Sequence, residues 1–189
     1  MSLRVPEVSA DSVIAVRDNL SELAGRAAYR HRALARVNPL DVALALPHDV
    51  YSLGLDELVR GATLDDAQLV GRRVLVMAGD DAVASAEIAR DDGFTATEGP
   101  FVTGTARAIA VAEQDPATAE GDYEVRVLRV PALYFMALWL SGGGHETDLV
   151  IPMDPAPAPF SGGEKVRPDE LLGRLAELAR RRLEFDDIG

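Results

Sequence analysis

The sequence predicts an α+β fold, a mostly antiparallel five-stranded sheet packed with a long N-terminal helix, a middle helix and a C-terminal helix. Three observations carry that reading. Apolar residues recur at helical spacing near both ends and once in the middle of the chain. β-rich apolar runs bounded by Gly, Pro and Asp lie between residues 72 and 153, mostly in pairs joined by short turns. Strands and helices do not alternate regularly, as a parallel α/β sheet would need.

Residues 11–36 read as one helix. Val13, Val16, Leu20, Leu23, Ala27 and Leu34 form its stripe. Ser9 or Asp11 can cap its start, and Asn38-Pro39 stops it. Arg26, Arg30, Arg32 and Arg36, with His31 among them, read as a helix end whose cations complement the dipole. The same stripe fits a short heptad seam broken by Arg30, so the helix is a candidate dimerisation arm and a homodimer is expected. Packing on the protein's own sheet is the alternative.

Val42 to Leu46 reads as a short strand or a helical piece ended by Pro47-His48. Leu55 to Val59 is a turn or two of helix closed by Gly61, and Leu64-Asp65-Asp66 starts another turn. Residues 72–78 form a strand and Gly79-Asp80-Asp81 a turn. Residues 82–89 complete a hairpin, with Ala84, Ala86 and Ile88 on one face and Val83, Ser85 and Glu87 on the other. Read instead as a helix capped by Asp80 or Asp81, that segment would imply a parallel sheet.

Residues 101–114 form the middle helix, opened by Pro100 and stopped by Pro116. A polar loop follows over 115–121. Residues 123–130 are a strand whose alternation slips at Leu128, which predicts a bulge there. Residues 132–141 are apolar on both faces, as a central strand covered on both sides must be. Ser141-Gly142-Gly143-Gly144 turns into a strand over 146–153. After a Pro/Gly-rich connector, residues 168–183 form the last helix, with Leu171, Leu172, Leu175, Leu178, Ala179 and Leu183 as its stripe. Asp169 and Glu170 open it and Arg180 to Arg182 close it. No repeat interrupts this plan, so one domain over 1–189 is expected, with the sheet core at 72–153.

Composition narrows the function classes. With 31 acidic against 19 basic residues the net charge is -12, which repels a phosphate backbone, so no nucleic-acid partner is expected. The absence of cysteine removes disulfides, zinc–thiolate sites and a thiol nucleophile, and fits a cytoplasmic setting. The longest apolar run, Pro131 to Leu140, is too short to cross a bilayer, so no membrane partner is expected. Eighteen of the 19 cations are Arg and Lys165 is the one lysine, the signature of a GC-rich bacterial genome.

Few residues invite chemistry. His145 and Glu146 follow a glycine-rich turn, where a backbone can approach a ligand closely, and His145 could exchange a proton near neutral pH. His48 and Tyr51 form a second polar cluster around Asp49, and Arg129 is a third candidate ligand-binding residue. Neither a phosphate loop nor a dinucleotide fingerprint occurs, and the three histidines, at 31, 48 and 145, have no paired spacing, so no cofactor and no metal are expected. The sequence therefore points to a non-catalytic interaction or small-ligand-binding module of the bacterial cytoplasm. The alternative is an enzyme acting on a small neutral or cationic substrate, with His145 and Glu146 as acid/base groups. That enzyme needs both residues in a pocket beside Arg129 or His48, whereas the module leaves the 141–146 turn exposed.

Overall fold

In the computed structural model of the chain, residues 2–7, 10–24, 36–38, 41–89, 94–119, 121–144 and 146–186 are described. They form an α+β fold on one mostly antiparallel eight-stranded sheet. In chain order the strands are β1 (Ser2–Arg4), β2 (Ala43–Ser52), β3 (Gln68–Ala78), β4 (Asp81–Ala89), β5 (Phe94–Thr97), β6 (Asp122–Val130), β7 (Phe135–Ser141) and β8 (Leu149–Pro152). The helices are α1 (Ala10–Ala24), α2 (Leu55–Val59), α3 (Pro100–Gln114), α4 (Pro116–Ala119) and α5 (Pro168–Asp186).

Across the sheet the order is β5-β4-β3-β2-β6-β7-β8. Four hairpins, β3–β4, β4–β5, β6–β7 and β7–β8, build the two flanks from local pairings. The halves meet at β2 and β6, which run parallel, Asp49 opposite Arg126 through Ser52 opposite Arg129. β1 is also parallel to β6 and takes the stretch of that edge beyond β2.

Both faces are covered. On one, α3 lays Ala108, Ile109 and Ala112 over Val125, Val127, Leu138, Leu140 and Ile151. A Cβ on Gly104, within α3, would come 2.5 Å from the Asp154 carbonyl oxygen. Glycine is what lets the helix lie this close to the end of β8. On the other face α5 and α2 cover Leu128, Val130, Ala137, Trp139 and Val150. Beside them α1 sets Val16 and Leu20 against Val74, Val76, Ala84 and Ala86. Two residues of the N-terminal stripe thus serve this protein's own sheet. Residues 25–35, the rest of the expected 11–36 helix, lie outside the described residues.

The hairpin over 72–89 is present, so the helical alternative for 82–89 does not hold. Several expectations need correction. The five expected strands are joined by three more, β1, β2 and β5. The strand at Val42 is not ended by Pro47-His48 but runs on to Ser52. Proline fits because β2 bulges between Ala45 and His48, with Leu46 in the left-handed region at φ 50. There the ladder asks no N–H of the ring. The bulge expected at Leu128 is absent, since the β6–β7 register is continuous from Glu124 to Val130. The slip in alternation arises because Val127 packs under α3 while Leu128 packs under α5. Residues 131–133 are a 3-10 turn ending at left-handed Tyr134, and only then does β7 begin, buried along its whole length. Within the loop expected at 115–121 lies the short helix α4.

Candidate functional site

On the α3 face the sheet is apolar over β6, β7 and β8 but carries a polar layer over β2, β3 and β4. Strand register builds it: His48 stands opposite Arg73, and Arg73 opposite Glu87. Arg73 donates to Glu87 at 2.9 Å, and Arg129 reaches across from β6 to donate to the other carboxylate oxygen at 2.8 Å. The side chains are 7%, 16% and 28% exposed for Arg73, Glu87 and Arg129. One carboxylate therefore holds two guanidinium groups in a partly dehydrated setting, where such bonds are strong and directional. Arg73 also meets the Met136 sulfur at 3.5 Å. The Nε atoms of Arg73 and Arg129 are buried and donate to nothing. Burial lowers the pKa of Arg73, an effect Glu87 opposes.

His48 is wholly buried. Its Nδ1 lies 2.7 Å from the Leu46 carbonyl oxygen, across the bulge. Nδ1 must donate in that contact, so Nε2 carries the lone pair, and it has no partner. Burial, reinforced by the nearby Arg73 charge, pulls the His48 pKa from 6.5 down to about 4. At neutral pH the ring is uncharged.

Above Arg73 lies a cavity of about 180 Å³. Arg73, Ser85 and Thr97 reach it from three adjacent strands, Ser85 directly opposite Thr97. Glu98, Gly99, Pro100, Phe101 and Val102, the approach to α3 and its first turn, form one wall. Met136 and Tyr134 complete it, and the Phe101 and Tyr134 rings meet with centroids 4.9 Å apart. Gly99 sits at the N-cap of α3 with φ 134, so no side chain caps this helix. The first turn holds no acidic residue; Pro100 has no N–H and the Val102 N–H is bonded to the Gly99 carbonyl, so the turn acts on the cavity it lines chiefly through its partial positive charge.

A second polar arrangement lies on the opposite face. Arg126 stacks over Tyr51 and Trp139, 5.2 and 4.7 Å from the ring centroids, and is bonded twice by Glu124. That bonding raises the pKa of Arg126 and lowers that of Glu124, while burial raises that of Tyr51. Trp139 donates to Asp148 at 2.7 Å, and Asp148 also accepts from the Gly142 N–H, which fastens the β7–β8 turn. The two rings meet edge to face with centroids 5.2 Å apart and Arg126, paired with Glu124, covers both, so this arrangement is closed.

The structure therefore brings two of the sequence-predicted site residues, His48 and Arg129, into one polar layer. Tyr51 lies on the other face. Glu146 is exposed in the turn after β7 and does not line the cavity; His145 lies outside the described residues. Sequence reasoning missed Arg73, Glu87, Ser85, Thr97 and the start of α3. Among the described residues, no three metal-ligating side chains cluster, and no helix is long and apolar enough to cross a membrane. No family model matches the chain, and comparison with curated proteins and with solved structures finds no match.

Proposed function

We propose that this protein is a non-catalytic small-ligand-binding module whose ligand sits in the cavity between β3, β4, β5 and the first turn of α3. The observation that carries the reading is the buried floor of that cavity. Arg73 is fixed on a central strand by Glu87 before any ligand arrives. A group held in place in advance loses little conformational freedom on binding, and that favours affinity. Around it, Ser85 and Thr97 offer hydroxyl groups and Met136, Phe101 and Tyr134 offer apolar surface. This combination of convergent polar groups with an apolar wall is what small-molecule sites share. At about 180 Å³ the cavity holds on the order of six water volumes, which sets the ligand at roughly five to eight non-hydrogen atoms.

A thermal-shift screen of small polar compounds tests the reading. A ligand at 100 times its Kd adds about 2.7 kcal/mol of stability. The shift should disappear in Thr97→Phe, which places a ring at the cavity from an exposed edge position. If no compound of that size raises the melting temperature, or if the shift survives in folded Thr97→Phe, the cavity is not the site.

A further inference from the structure

Resting on that reading, we propose that the cavity receives the carboxylate of a small acid, two to four carbons long, with a hydroxyl or amino donor on the carbon beside it. Four features of the lining support this ligand class. Two guanidinium groups share the single Glu87 carboxylate, which leaves these three side chains one positive charge in excess beneath the cavity, while the Glu98 carboxylate in the wall carries one negative charge for a ligand's hydroxyl or ammonium group. Arg73, the member of the layer that lines the cavity, brings a planar guanidinium fork whose Nη1 and Nη2 each carry one N–H beyond those given to Met136 and Glu87. The first turn of α3, without a side-chain cap or an acidic residue, adds its dipole from the side. Those three features act on the acid group.

The fourth acts on its neighbour. Ser85 and Thr97 stand opposite each other on β4 and β5, and Glu98 follows directly in the lining. These groups offer acceptor oxygens a short distance from the carboxylate position. A plain carboxylic acid would place a methylene against the buried Ser85 hydroxyl; a 2-hydroxy or 2-amino group supplies a donor to it. Met136 and the Phe101–Tyr134 ring pair then offer apolar surface to a short substituent. The net negative surface of the protein opposes capture of an anion from a distance, so selectivity must come from contacts inside the cavity.

The experiment is a titration of the full chain, followed by amide chemical shifts, with lactate, alanine, propionate and lactamide as probes. Lactate or alanine should shift the amides of Ser85, Thr97, Gly99 and Phe101. Propionate, which lacks the donor, and lactamide, which lacks the charge, should each bind about tenfold more weakly or worse. Arg73→Lys keeps the charge but loses the fork and should weaken lactate or alanine to a similar degree. If it does not fold, Thr97→Phe replaces it and should abolish the shifts. Lactamide binding as tightly as lactate overturns the carboxylate assignment while leaving the cavity as a ligand site. Propionate binding as tightly as lactate overturns the donor assignment in the same way. If the cavity amides respond to none of the four probes, this inference falls. Whether the cavity binds anything else is answered separately by the broad thermal-shift screen.

Discussion

Acidification should destabilise this protein through His48. The ring is wholly buried and neutral, with Arg73, Glu87 and Asp49 as the charged groups around it. Its pKa is about 4 folded against 6.5 free, a difference of 2.5, from 6.5 minus 4. The folded state therefore binds fewer protons than the unfolded state between these values. Stability from this group is complete above pH 6.5, declines as pH falls, and is lost near pH 4. At 1.36 kcal/mol per pKa unit, the loss across that window is about 3 kcal/mol. The assay is urea denaturation at pH 7.5, 6.5, 5.5 and 4.5 for the wild type and for His48→Asn. Asparagine can place its amide N–H where Nδ1 stands, facing the Leu46 carbonyl, and does not titrate. Groups remote from residue 48 are common to both proteins and cancel in the difference. The wild type should lose about 2 to 3 kcal/mol more than the variant between pH 6.5 and 4.5. Parallel pH profiles would refute the reasoning and mean that the ring is hydrated or already paired in solution.

Three further substitutions follow from the same structure. Glu87→Gln removes the one negative charge that Arg73 and Arg129 share, and should cost about 3 kcal/mol in denaturant unfolding; a loss below about 1 would mean that solvent screens the pair. Gly99→Ala should destabilise by about 1 to 3 kcal/mol although the space around it is open, because φ 134 is a conformation other residues avoid; an unchanged melting temperature would show that the chain turns differently before α3. Trp139→Phe keeps most of the ring packing but takes the donor from buried Asp148, and should cost about 1.5 to 3 kcal/mol in denaturant unfolding; a loss below about 0.5 kcal/mol would mean that water replaces the indole donor.

The fold was legible wherever its signal was local. The β3–β4 hairpin, the helix opened by Pro100, the two-sided apolar β7 and the C-terminal stripe all depend on residues within a few positions of one another, and periodicity reads those directly. What failed depended on partners far along the chain. Pro47 stops an isolated strand, yet here a bulge places the ring where the ladder needs no donor, and a bulge is set by the opposing strand. β1 owes its existence to an edge of β6 some 120 positions later, and its three residues carry no pattern of their own.

The candidate site was harder to read for a related reason. Each charge in the polar layer reads, within its own strand, as an ordinary solvent-facing residue. The hairpin turn alone would also have misled. Close to the turn Ala78 pairs with Asp81 and Met77 with Ala82, and continuing that register would set Arg73 opposite Ala86. Glu87 would then share a face with Arg72, on the α1 side. Instead Val83 is an extra residue in β4, so Val76 pairs with Ala84 and Arg73 meets Glu87. One added residue moves every later side chain to the other face of the sheet. It turns Ala84 and Ala86 towards α1, where Val16 and Leu20 need small apolar neighbours, and brings Ser85 and Glu87 under the start of α3. The packing of α1 and the polar floor of the cavity are thus consequences of a single bulge. A change that removed the register shift would have to lose both together.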